Sequence, residues 1–394
     1  MKPLEGIKVL DLTVLNGLCT MELADYGAEV IKVEKPGMGD LIRTSEPLKD
    51  GISPYHAFLD RGKKSITLSL ESVEGKKIFK KLVKHVDVLV ENFKVGKMDE
   101  LGLGYEVLEK INPKLVYATL TGFGTTGPEK DYPANEIIAQ AKSGMMDITG
   151  FQDGPPTLIG MSIGNQYASL YLASAISIAI FHTKRTGQGQ KVETSMWEAL
   201  FAVTEDKLTS YDIGGENPTR VGNAHPLINP YDILKCKDGH VALGVSTDRQ
   251  WKSFCSEFGL DDWVTNPKYC DNEARGKYYF GDLRDKLEDY LQNFTKAEVS
   301  DKCEKAGVPA AGCNTVTEAM NQEQLKVRDM IVEVNDQRIG PIKMVGKTIK
   351  FHQDNELDNV FASAPLLGEH NQEIYKLIGL SKENQISLKE MKII

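Results

Sequence analysis

Gly164, Asn165 and Gln166 open a long apolar run, and small polar groups at that end of a helix would face a ligand with the positive pole of the helix dipole behind them. An acyl group or a developing oxyanion is what such a pole stabilises. The plainer reading of Asn165 is a helix cap, a role asparagine favours. Glu136 follows a loop containing Gly122, Gly124 and Gly127. It is either a site carboxylate or a first-turn glutamate set against its own helix dipole. Asn92, Phe93 and Lys94 follow an apolar run at residues 86–91, and Asn16 is the obvious polar group of the loop at 14–18. Phe93 would cover the face of a base or simply fill core. Lys35 and Arg43 bracket Pro36-Gly37-Met38-Gly39, and cations beside a loop suit either phosphate binding or an ordinary charged surface. His225, beside Pro226, reads as a structural loop histidine more readily than as a catalytic one.

Alternating elements must position these groups. Residues 7–12, 30–33, 86–91, 115–120 and 190–195 read as strands, and residues 19–26, 73–84, 105–110, 135–146 and 196–208 as helices. That alternation predicts an α/β fold with a large doubly wound parallel sheet, whose ligands bind outside the carboxyl ends of the strands. The first β-α-β unit has no GxGxxG, which argues against a dinucleotide-dependent dehydrogenase. Residues 167–181 are apolar or small almost all round, predicting a core helix buried on every side. The run falls short of the roughly 20 apolar residues a bilayer span needs. Lys184 and Arg185 suit its negative end, and Gly187 its left-handed stop.

The Gly-, Pro- and Asn-rich stretch at 214–230 reads as a linker, dividing a large α/β domain (1–213) from a smaller α+β domain (231–325). Lys237-Asp238-Gly239 between apolar runs signals a hairpin. Runs at 331–334 and 348–351 read as strands and 372–380 as a helix, so residues 326–394 form a return segment.

A formal charge of -9 argues against nucleic-acid or anionic-membrane partners. Six cysteines, at 19, 236, 255, 270, 303 and 313, show neither CxxC pairs nor metal-like clustering, so a cytoplasmic protein with reduced thiols and no metal is expected. The N-terminus does not resemble a cleaved signal peptide.

The runs IGMSIGNQYASLYLA (159–173) and RTGQGQKVETSMWEAL (185–200) resemble the central signature of the class III CoA-transferases, the family of formyl-CoA transferase and carnitine CoA-transferase. LEGIKVLDLT (4–13), LADYGAEVIKVEKPGMGD (23–40), VENF (90–93) and APLLGEHNQEI (364–374) agree with it in order along the chain. The resemblance implies coenzyme A or an acyl-CoA and a small carboxylic acid as substrates, and an interlocked homodimer. It implies an aspartate nucleophile at the position of Asn165, an active-site glutamate at Glu136, and CoA contacts from Asn16, Lys35, Leu68, Ser69, Leu70, Asn92, Phe93, Lys94 and Asn135.

Several positions depart from that pattern. A carboxylate attacks a thioester, whereas the lone pair of an amide nitrogen is tied up in resonance, so Asn165 separates the family's function from this chain's competence. Asparagine is nearly isosteric with aspartate, so CoA binding would survive. The loop carrying Asn16 is shorter than its counterpart, and Glu100 and Pro133 stand where formyl-CoA transferase has CoA-contacting cations. His225 to Asn229 replace a glycine-rich loop with stiffer, more apolar residues, which favours a larger acyl group than formate or oxalate. Rival expectations are an α-methylacyl-CoA racemase-like enzyme and a catalytically disabled acyl-CoA-binding paralogue or variant.

Overall fold

The computed structural model describes residues 2–351 and 361–394; part of the expected return segment, 352–360, lies outside the described residues. Contacts divide the chain into two compact units, one of Met1–Met145, Ile159–Asp206 and Gln324–Ile394, the other of Met146–Leu158 and Lys207–Glu323.

In the first unit, β1 (Lys8–Asp11), β2 (Glu29–Glu34), β3 (Lys64–Thr67), β4 (Val88–Glu91), β5 (Val116–Thr121) and β6 (Gln190–Ser195) form one parallel sheet in the order β3-β2-β1-β4-β5-β6. The side-chain period of two sends Val9, Val30, Val88, Val90, Val116 and Ala118 to one face and Leu10, Ile31, Leu89 and Tyr117 to the other. Both faces are covered, as a parallel sheet requires. Ala168, Leu172, Ile176 and Ala179 of the long helix Ile163–Thr186 pack on the first, and Ile78, Phe79, Leu82 and Val83 of the helix Val73–Val83 on the second. The α/β, doubly wound expectation holds.

β3 was not expected from the sequence, because Lys64, Ser65 and Thr67 give it little apolar signature. It is an edge strand, and later residues satisfy its backbone: Ser65 N–H donates to His370 Nδ1 (3.1 Å) and Thr67 N–H to Asn371 Oδ1 (2.8 Å). Tyr375 Oη donates to Thr67 O at 2.6 Å.

The long helix ends as its residues require, with Gly187 at φ 75° donating its N–H to Thr183 O. Burial on every side does not hold. Leu170, Tyr171, Ile178 and Phe181 are 47%, 48%, 68% and 63% exposed, an apolar stripe opposite the sheet-facing one. The expected helix 196–208 is two, Met196–Val203 and Asp206–Gly214, separated where Glu205 takes φ 46°.

The second unit holds an antiparallel sheet of β7 (Tyr231–Cys236), β8 (Gly239–Gly244) and β9 (Ala310–Gly312), with the expected hairpin between β7 and β8. Its core gathers Trp251, Phe254, Leu287 and Val299 from three helices. The smaller unit is therefore α+β. Back in the first unit, β10 (Ile331–Asp336) pairs with β11 (Gly340–Val345). The strand expected at 348–351 is irregular; its place is taken by β11, whose Gly340 and Pro341 disguise it as a turn. The expected helix at 372–380 is Asn371–Leu377, followed by a further helix, Lys382–Glu390.

Candidate active site

Strand order reverses direction between β1 and β4, and chain leaving their carboxyl ends diverges to make a crevice. A cleft of about 660 Å³ opens there. The loop after β1 contributes Asn16, the segment after β4 contributes Asn92, Phe93 and Lys94, and the segment after β5 contributes Asn135 and Glu136. Asn165, in the first turn of the long helix, completes the wall.

Glu136 is the hub. Its Oε1 accepts from Gly164 N–H (2.8 Å) and Gln140 Nε2 (2.9 Å), and its Oε2 from Asn165 N–H and Asn165 Nδ2, both at 3.0 Å. Two of these donors are otherwise unpaired N–H groups of the helix end, so the carboxylate caps the long helix where an external anion was expected. Four donors also occupy the lone pairs an attacking carboxylate would need.

Asn165 is held from both sides. Its Oδ1 accepts from Asn16 Nδ2 at 3.2 Å, and Asn16 Oδ1 in turn accepts from Ser169 Oγ at 3.2 Å. The line Glu136–Asn165–Asn16 runs along the cleft wall and continues to Ser169, buried behind it, with donors and acceptors matched. Sequence reasoning missed Ser169 and Gln140. Each lies four residues after a group that was identified, the spacing that puts side chains on one helix face.

Asn92 bonds the Asn16 loop twice, accepting from Val14 N–H (2.8 Å) and donating to Val14 O (2.9 Å). Phe93 N–H donates to Glu91 Oε2 at 2.8 Å, and burial pushes the Glu91 carboxyl up. Asn135 caps its own helix by accepting from Ile138 N–H. Lys94 and Lys130 are exposed on the lip and form no ion pair among the described residues.

Other expected contacts lie outside the lining. Lys35 is exposed, Leu68 is 2% exposed in the core, Leu70 packs against that core, and Ser69 N–H donates to Ile393 O. Arg43 is committed to Glu34 through Nε and Nη2, both at 2.6 Å. His225 Nδ1 accepts from Leu227 and Ile228 N–H at 3.0 and 3.1 Å, which accounts for it structurally.

The profile of CoA-transferase family III matches residues 4–371. The chain belongs to that family. Among relatives of this family III member, the acetyl-CoA:oxalate CoA-transferase of Acetobacter aceti is 38% identical over 88% of this chain and 89% of that protein. The succinyl-CoA–D-citramalate CoA-transferase of Chloroflexus aurantiacus is 35% identical over 100% and 98%. A CAIB/BAIF family protein from Brucella suis, solved by crystallography, superposes with a TM-score of 0.87 at 32% identity, covering 96% of this chain and 99% of that one. Against this family background the cleft presents amide groups, one hydrogen-bonded carboxylate and lip cations. That set can bind and orient a thioester.

Proposed function

We propose that the chain moves CoA from an acyl-CoA donor to a carboxylic acid acceptor at the switch-point cleft, with Asn165 in the place of the family's nucleophile. The observation that carries this is the convergence of Asn165, Glu136 and Asn16 at the mouth of β1 and β4 in a family III chain. Lys94 and Lys130 supply cations for the CoA phosphates, and Phe93 an aromatic face for the adenine. Lys35, Leu68, Ser69 and Leu70 would contact the CoA only beyond the cleft lining. The exposed stripe of the long helix is suited to a second copy of the chain, which supports a homodimer. A cytoplasmic location accords with six free cysteines.

A second reading has its own observation. Asn165 offers no carboxylate, and Glu136 is saturated by four donors, so neither group is free to attack a thioester. On that reading the chain binds acyl-CoA without covalent turnover. Racemisation is disfavoured, since no histidine is among the described residues lining the cleft.

Thioester exchange across a panel of acyl-CoAs and acids, read by mass spectrometry for the native chain and Asn165→Asp, separates these readings. Turnover by the aspartate form alone, with acyl-CoA still bound by the native chain, supports the binder reading. Turnover by the native chain supports transfer through a route that does not need the aspartate, and no exchange by either form overturns the transferase proposal.

A further inference from the structure

Beneath the Asn16 loop lies a cluster of charges that the proposed chemistry does not use. Lys32 and Lys63 are 2% and 3% exposed, and Asp11, Asp40 and Asp60 are 0%, 7% and 1% exposed. Lys63 Nζ contacts Asp11 Oδ2 (2.8 Å), Asp60 Oδ1 (3.0 Å) and Thr20 Oγ1 (2.8 Å). Lys32 Nζ contacts Asp40 Oδ2 (2.8 Å) and lies 3.8 Å from Asp60 Oδ1. Burying such charges is costly, and well-packed apolar residues usually do as well or better for stability. Their presence calls for a role that apolar residues could not fill.

The contacts they make upward supply it. Asp11 Oδ1 accepts from Thr13 N–H (2.8 Å) and Thr13 Oγ1 (2.6 Å), and Lys32 Nζ donates to Thr13 O (2.8 Å). Asp40 Oδ1 accepts from Leu15 N–H (3.2 Å), and Lys63 Nζ donates to Gly17 O (3.3 Å). The loop so held is strained: Leu15 sits at φ 60°, a left-handed conformation that a leucine adopts only when its surroundings impose it. Between Leu15 and Gly17 stands Asn16, the residue bonded to Asn165.

We propose that Asp11, Lys32, Asp40, Asp60 and Lys63 are positioning residues, a buried ionic clamp that forces residues 13–17 into the one conformation that presents the Asn16 carboxamide to Asn165. The inference rests on the cleft being the acyl-CoA site. Burial raises the carboxyls of Asp11 and Asp60, but the two ammonium groups outweigh it and hold both below the ordinary carboxylate range, so these two stay ionised at neutral pH.

The test uses the full chain with two independent readouts: hydrogen exchange of the peptide spanning 12–20, and acetyl-CoA affinity with thioester exchange. Asp40→Ala is expected to speed exchange in that peptide and weaken acetyl-CoA binding, each about tenfold or more. Asp40→Asn keeps an acceptor oxygen for Leu15 N–H but sets an amide NH2 against the Lys32 ammonium in place of Oδ2, so it is expected to fall between the native chain and Asp40→Ala. Leu15→Gly relaxes the strain, so the double variant Asp40→Ala/Leu15→Gly recovers affinity relative to Asp40→Ala, each compared with Leu15→Gly alone. A merely structural Asp40 would gain nothing from that glycine. Should Asp40→Ala fail to fold, Lys32→Met removes the bond to Thr13 O and is read the same way.

Unchanged exchange at 12–20 overturns the clamp whatever the activity. Faster exchange with unaltered affinity and turnover, or no recovery in the double variant, overturns its positioning role. A native chain that neither binds nor transfers any acyl-CoA of the panel refutes the acyl-CoA reading and with it the positioning role, and the exchange measurement still decides whether the loop is clamped.

Discussion

Asn165 Nδ2 donates to the same Glu136 oxygen, Oε2, that accepts the Asn165 backbone N–H, both at 3.0 Å. A neutral amide satisfies that carboxylate; a second carboxylate would oppose it. Asn165→Asp should therefore place two acids in contact and raise the apparent pKa of the pair. An acid whose folded pKa is raised stabilises the fold as pH drops through that value. The variant should lose on the order of 1–2 kcal/mol near pH 7 and recover most of it near pH 4, relative to the native chain at each pH. Urea titrations at the two pH values check this, and a pH-independent loss would count against the contact.

Glu136→Gln keeps the shape but turns one acceptor oxygen into a donor facing N–H groups. The expected loss is about 1–3 kcal/mol, with faster hydrogen exchange confined to the first turn of the helix Ile163–Thr186. An unchanged first turn would mean that another group caps it.

Gly17 has no room for a side chain. A Cβ there would stand 2.7 Å from Lys63 Nζ and 3.4 Å from both Asp60 Oδ1 and Leu59 O. Gly17→Ala should cost about 1–3 kcal/mol by displacing a buried, fully engaged ammonium group. Chemical denaturation measures it, and a neutral result would show that Lys63 can move aside.

His56 gives the fold a pH dependence of its own. Burial, with Arg43 and Arg338 nearby, lowers it from an ordinary 6.5 to about 4, against the opposing pull of Asp60 and Glu34. The neutral ring is then the folded form. Its contribution is whole above about pH 6.5 and is lost as pH falls towards 4, at most on the order of 3 kcal/mol. His56→Asn should flatten stability against pH across that window, and an unaltered slope would assign the acid sensitivity elsewhere.

Phe181, 63% exposed on the apolar stripe, tests the homodimer. Interlocked chains cannot part while folded, so Phe181→Glu should act during assembly, giving monomer or aggregate where the native chain gives dimer in light scattering after size exclusion, since a charge in a packed apolar interface is left without a partner. A native chain that already runs as a monomer would refute the dimer.

The sheet was legible wherever strands were rich in valine, isoleucine and leucine, as in β1, β4 and β5, because both faces are buried. β3 and β11 were not, since an edge strand tolerates lysine, serine and proline that a central one would not. Asn165, Glu136 and Asn16 could be found from motif and loop position, and the structure brings them into contact. The clamp could not be found. Lys32, Asp40 and Lys63 look like surface charge in the sequence, and only tertiary packing brings them together under one loop. The same blindness explains the long helix, whose uniform apolarity does not say which stripe a single chain buries.

The edge of β3 is closed by groups some 300 residues later, with Thr67 and Asn371 separated by 304 positions. During synthesis that edge therefore stays open until residues 370–375 have left the ribosome, and an open edge is a template for pairing with other nascent chains. Truncation upstream of His370 would leave the finished chain in that same vulnerable condition, so translation that stops short should yield aggregate rather than a smaller working protein.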